Sequence, residues 1–63
     1  MDPITTILDA SRENGRGVTV HLPGGAVSLV VTSFDDAFVL GRSQASSNIA
    51  VRRDIIQAAV ALF

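Results

Sequence analysis

The stretch from Val27 to Leu40, VSLVVTSFDDAFVL, constrains the fold of this chain more than any other. Two apolar runs rich in β-branched residues flank a phenylalanine and an adjacent pair of aspartates. Ser28 and Thr32 interleave with Val27, Leu29 and Val31, the alternation of a pleated surface with one buried face. Asp35 and Asp36 carry short carboxylates that accept from nearby backbone amides, which favours a turn over continued pairing. The stretch therefore predicts an antiparallel hairpin on which the rest of the chain packs or pairs.

Residues 2–13, DPITTILDASRE, predict a helix, with Asp2 as its N-cap and Pro3 at the first helical position, where a missing amide costs nothing. Ile4, Ile7, Leu8 and Ser11 share one face at helical spacing. Asn14-Gly15 ends it, glycine being the usual left-handed cap. A strand over 16–22 sets Val18, Val20 and Leu22 against Thr19 and His21, and Pro23-Gly24-Gly25 makes the next turn. The hairpin strands follow at 26–34 and 37–42. Gly41 to Ser47 is polar and reads as a mobile loop, overlapping the end of the second hairpin strand. A strand over 48–53 alternates Ile49 and Val51 against Asn48, Ala50 and Arg52, with a corner at Arg53-Asp54. The last segment, 55–62, reads as a strand or equally as an alanine-rich helix. The order predicts one mainly β domain over 1–63: a short N-terminal helix, then a strongly bent five-stranded antiparallel sheet or small open barrel of SH3-like type.

The chain has 63 residues, a size at which only about 60% of the unfolded surface is buried, and no cysteine to staple it. Yet 48% of it is hydrophobic, and it stays apolar from Ile55 to Phe63 with only Gln57 interrupting. Edge strands normally carry charge or proline that blocks pairing. This one carries neither, so oligomerisation is expected, with the tail finding its mate on a neighbouring copy and not within its own subunit.

Net charge is −1 and the isoelectric point about 5.5, so no global basic field draws in a duplex. No apolar run has the length of a membrane helix, and the start of the chain lacks the basic region of a secretory signal, so a soluble cytoplasmic protein is expected. Nothing predicts an enzyme, a cofactor, a metal or a small-molecule substrate. His21 is the single histidine and has no ligating partner. Gly24-Gly25 lacks the following helix of a phosphate loop, and Ser43, Ser46 and Ser47 lack a neighbouring base. Asp35 and Asp36, adjacent on a turn, point apart and do not form an acid/base dyad.

Taken together, VTVHLPGG (18–25), SFDDAFVL (33–40) and IAVRRDII (49–56) resemble the two motifs of the Sm-like superfamily, most of all its bacterial Hfq branch. Leu22, Gly25, Phe34 and Asp35 stand at the marked places of the first motif, and Arg52-Arg53 at the basic corner of the second. The resemblance makes the last segment a strand. It implies a homo-oligomeric ring of about five to seven copies, strand five of one pairing with strand four of the next. It also implies single-stranded RNA at the inner mouth, near Arg52, Arg53, Asp35 and Asp36, with a weaker outer-rim contact from Phe34, Arg12 and Arg16.

Several residues depart from that pattern. Between Gly25 and Phe34 the chain is about one residue shorter than the pattern. The glycine that lets the second strand bend is replaced by Leu29 and Val30, the stacking position is Ala37, the asparagine of the turn is Val39, and the Hfq glutamine is Asp36, which repels phosphate. These favour the alternative of a structural or protein-interaction ring that has lost its RNA pocket. Plainer roles stand beside each assignment: Arg53 pairing with a carboxylate at the corner, Asp35 bonding amides of its own turn, Phe34 packing, and Arg12 and Arg16 on a solvated face diluted by Glu13. An SH3-like monomer or dimer with a peptide groove is the third possibility.

Overall fold

A computed structural model describes residues 2–63. The chain forms a helix, α1 (Pro3–Asn14), then strands β1 (Gly17–Leu22), β2 (Gly25–Phe34), β3 (Phe38–Arg42) and β4 (Ile49–Arg52), a 3₁₀ turn (Arg53–Ile55), and β5 (Ala58–Ala61). All strand pairs are antiparallel, in the order β4-β3-β2-β1-β5. The protein is mainly β, one helix over a five-stranded sheet that does not close.

Local chemistry sets the helix ends. The Asp2 carboxylate accepts from the Thr5 amide at 2.8 Å, and Pro3 occupies the first turn. Gly15 takes φ 66°, which lets its amide reach the Ser11 carbonyl at 2.9 Å.

One face of the sheet carries α1; the other is open. Leu8 from the helix meets Val18, Val20, Leu29, Val31, Val39 and Val51 in a core without aromatic residues, and Ile4 and Ile7 pack at its margin. Ser11 is also completely buried, and its hydroxyl is fully used. It donates to the Arg16 carbonyl at 2.5 Å and accepts from the Val31 amide at 3.1 Å. The β1–β2 pairing ends at Gly17↔Val30, so Arg16 and Val31 would be the next pair outward. The hydroxyl therefore stands between the two strands where a ladder bond would otherwise form.

The sheet bends. The register of β2 on β3 shifts between Val31 and Ser33, beside the Val31↔Gly41 pair. Such a bulge kinks its strand and raises the local twist. Gly41 fills the crowded inside of that kink: it is buried, and a Cβ there would stand 2.5 Å from both the Val30 carbonyl oxygen and Leu29 Cδ1. This device lies one to two residues beyond Leu29-Val30, where the resembled pattern has its glycine. Chain length requires a bend too. Six Cα steps from Arg52 to Ala58, partly 3₁₀, reach at most about 20 Å. In a flat sheet the outer strands would already be about 19 Å apart sideways, with a strand length still to travel. The near-equal extents of 25 × 24 × 20 Å agree with a rolled sheet.

Three expectations change. The last segment is a strand, shorter than 55–62: Ile55 belongs to the 3₁₀ turn, Ile56 and Gln57 lead into the strand, and Leu62 lies just beyond it. Its mate lies within its own subunit: β5 pairs with β1 from His21↔Ala58 to Val18↔Ala61, extended by Gln57 N–H to His21 O at 2.8 Å and Leu62 N–H to Gly17 O at 3.0 Å. The physical reason is that β1 has a second edge whose backbone groups need partners, and the rolled sheet brings the tail to it. The polar loop loses Gly41 and Arg42 to β3, which agrees with the strand expected over 37–42.

Candidate functional site

The β2–β3 turn, the β4 terminus and the 3₁₀ corner meet at one end of the sheet. Asp35 organises the turn. Its Oδ1 accepts from the amides of Ala37 at 2.7 Å and Phe38 at 2.8 Å, and these bonds, that of Phe38 first, hold its carboxyl below the usual carboxylate range. Asp2 is lowered likewise, first by the Thr5 amide and then by the Thr5 hydroxyl.

Both shifts carry the same sign for stability. A carboxylate whose folded pKa is depressed stabilises the fold above its unfolded value and loses that contribution as pH falls through the folded one. Acidification below about pH 4 is therefore expected to weaken the domain. In acid titrations followed by circular dichroism, the double variant Asp2→Asn/Asp35→Asn should start less stable at neutral pH and lose less on acidification. An unchanged acid slope would remove both carboxylates from the cause.

The two arginines of the corner part ways. Arg53 turns inward: Nη1 donates to the Asp35 carbonyl at 2.7 Å, Nη2 donates to Thr5 Oγ1 at 2.5 Å, and the guanidinium lies 5.5 Å from the centre of the Phe34 ring. Its backbone amide donates to the Ala37 carbonyl at 2.9 Å. One side chain thus ties the first turn of α1, the β2–β3 turn and the 3₁₀ corner together. Phe34, half-buried against the core, is the face it stacks on.

Arg52 points to solvent. Its side chain is 64% exposed and its Nη2 lies 2.6 Å from Asp54 Oδ2. An exposed pair of this kind contributes about 0–1 kcal/mol, so a ligand can displace Asp54 at small cost. Arg52, Asp36, Ala37, Phe38 and Asp54 line an open cavity of about 350 Å³. With one guanidinium and two carboxylates, its local charge is 1 − 2 = −1.

Phe38 is the residue that sequence reasoning missed. It is 45% exposed and sits opposite Arg52 in the β3–β4 register. It supplies beside Ala37 the aromatic surface that Ala37 lacks. The available signal was its parity: Val39 faces the core, so Phe38 and Leu40 face out.

The outer-rim residues are not brought together. Arg12 is held by Asp9 at 2.6 Å, which raises its pKa, and lies 3.7 Å from Glu13. Arg12 and Arg16 flank the C-terminal end of α1, whereas Phe34 lies near Thr5 through Arg53, about 10 Å of helix away. Among the described residues no three His, Cys, Asp or Glu side chains cluster as metal ligands, and no helix is long and apolar enough to cross a membrane.

No protein-family model matches the chain, and no curated protein matches it either.

Proposed function

We propose that this chain is an Sm-like, ring-forming protein whose copies join edge to edge, and that Arg52, with Phe38 opposite it, meets single-stranded RNA at the mouth of the ring. The observation that carries the assembly is the open sheet order, which leaves β4 and β5 each with an outer edge unpaired. The β5 edge is Ala58-Ala59-Val60-Ala61, without the charge or proline that guards a solvent-facing strand. Exposed apolar side chains flank both edges: Phe38 and Leu40 beside β4, Val60 and Leu62 at β5. Two different edges on one subunit make a head-to-tail interface, which closes into a ring when the rotation allows.

The RNA assignment rests on chemistry that each copy repeats once. An exposed guanidinium can take a phosphate or a base edge, and an exposed aromatic ring can stack on a base. Asp36 and Asp54 oppose the phosphate, so binding is weak and falls steeply with salt.

The test joins absolute mass by light scattering to fluorescence anisotropy with uridine-rich and adenine-rich RNA at low salt. A ring that binds, loses binding on Arg52→Ala, and weakens by about 1–3 kcal/mol per stacked base on Phe38→Ala is the expected result. A monodisperse ring with no affinity for either RNA removes the RNA assignment and leaves the assembly standing. The local charge of −1 and the Arg52–Asp54 pair favour a second reading, a ring that serves as a structural or protein-interaction module. Unchanged RNA retention on Arg52→Glu supports that one.

A further inference from the structure

A second cavity, of about 240 Å³, opens at the N-terminal end of β4 and is lined among others by Leu40, Ser47, Asn48, Ile49 and Ala50. It is smaller than the roughly 300–1,000 Å³ of small-molecule sites and suits an apolar side chain. Leu62, just beyond β5, is 61% exposed, the highest among the large hydrophobic residues exposed in the described chain. Its backbone is fixed by the bond to Gly17, and its Cδ1 lies beside that residue, which puts its side chain on the open face of the sheet. Leu40 and Ala50 share that face.

We infer that the cavity at the start of β4 receives Leu62 of an adjacent copy, and that this contact sets the orientation and register of the edge pairing. The inference rests on the ring reading above. β4 and β5 are both four residues long. Full antiparallel overlap pairs Ile49 with Ala61 and Arg52 with Ala58, placing Val60 opposite Ala50 and Leu62 opposite Asn48, at the cavity. Faces agree in this register: Ile49 and Val51 point to the core side, as do Ala59 and Ala61. A slip of one residue would turn every side chain to the wrong face.

Parallel overlap is the competing arrangement, and a rolled sheet does not dictate between the two. It would carry Leu62 to the charged end of β4, opposite Arg53 and beside Arg52 and Asp54, and leave the cavity unfilled. Antiparallel pairing is also slightly more stable per residue. Both considerations select the antiparallel form.

The chain has no cysteine, so engineered pairs report cleanly. Under mild oxidation, Asn48→Cys/Leu62→Cys is expected to give covalent oligomers up to the full ring, and Arg52→Cys/Leu62→Cys to stay uncrosslinked. In the unmodified background, Leu62→Glu should weaken association by about tenfold or more per interface while Leu62→Met retains it. Because Leu62 is mostly exposed within its own subunit, the circular dichroism spectrum of Leu62→Glu should match the parent. Crosslinking through Arg52, no crosslinking in either pair, or unchanged association of Leu62→Glu in a chain that still has ring mass overturns the inference alone. A parent chain with the mass of one subunit overturns the ring reading and the inference together.

Discussion

Gly41→Ala is expected to remove a large part of the domain's stability, about 3 kcal/mol or more. The added Cβ would meet the Val30 carbonyl oxygen at 2.5 Å, and Leu29 Cδ1 at the same distance. The leucine methyl can swing aside, but the carbonyl belongs to the central strand and cannot. Relief would require β3 to lift off β2 at the bulge, where Val31 and Val39 are completely buried on either side. Overpacking a core typically costs about 1–3 kcal/mol and more where backbone must move. A domain of this size has a total stability of roughly 3–9 kcal/mol. Urea melts should show a much lower midpoint for Gly41→Ala than for the parent, and the double variant Leu29→Ala/Gly41→Ala should not recover. Neighbouring Arg42→Ala, whose side chain is exposed, should stay within about 0.5 kcal/mol of the parent. A Gly41→Ala protein as stable as the parent would show that the kink does not need the space.

Ser11→Ala is the second large effect. It removes only one oxygen, but that oxygen serves two backbone groups, the part-buried Arg16 carbonyl and the buried Val31 amide. The buried Val31 amide left without a partner costs about 1–3 kcal/mol, and the part-buried Arg16 carbonyl less. The strands cannot simply close up, because the helix that carried the hydroxyl is held on the core by Leu8. Ser11→Ala should therefore destabilise the domain by more than an ordinary surface serine, such as Ser47→Ala, and should speed exchange of the Val31 amide ahead of the rest of β2. Equal melting of the two serine variants would mean that water fills the place of the hydroxyl without loss.

Much of this architecture was legible in the residues. Asp2, Pro3 and Gly15 marked the helix ends because capping is local chemistry, and the period-two alternation of Val18, Val20, Leu29 and Val31 marked the strand faces. Asp35 behaves as a short carboxylate before two turn amides should. Features that depend on distant partners were not visible. Nothing in the alternation signals that β2 slips register at Thr32, so the close approach of the strands at Gly41 was not visible. The partners of Ser11 lie 5 and 20 residues away in the chain, so helical spacing placed it on the buried face without revealing its bonds.

The arginine pair was half legible. With Ile49 and Val51 inward, continued alternation sends Arg52 out and Arg53 in, yet adjacency in the motif invited the same role for both. The tail was misread because an unguarded apolar strand states that it needs a partner without stating which edge, or how many, it will use.

The tie made by Arg53 has a kinetic consequence. Its bond to Thr5 joins residues 48 apart in sequence, and its bond to Asp35 spans 18. Closing so long a loop is slow compared with forming a helical turn. The front of α1 can coil early, but it is locked down only once the last corner of the chain has arrived. Loosening that corner then frees the far terminus in the same event, so amides in the first turn of the helix and at the end of β4 should exchange as one cooperative unit.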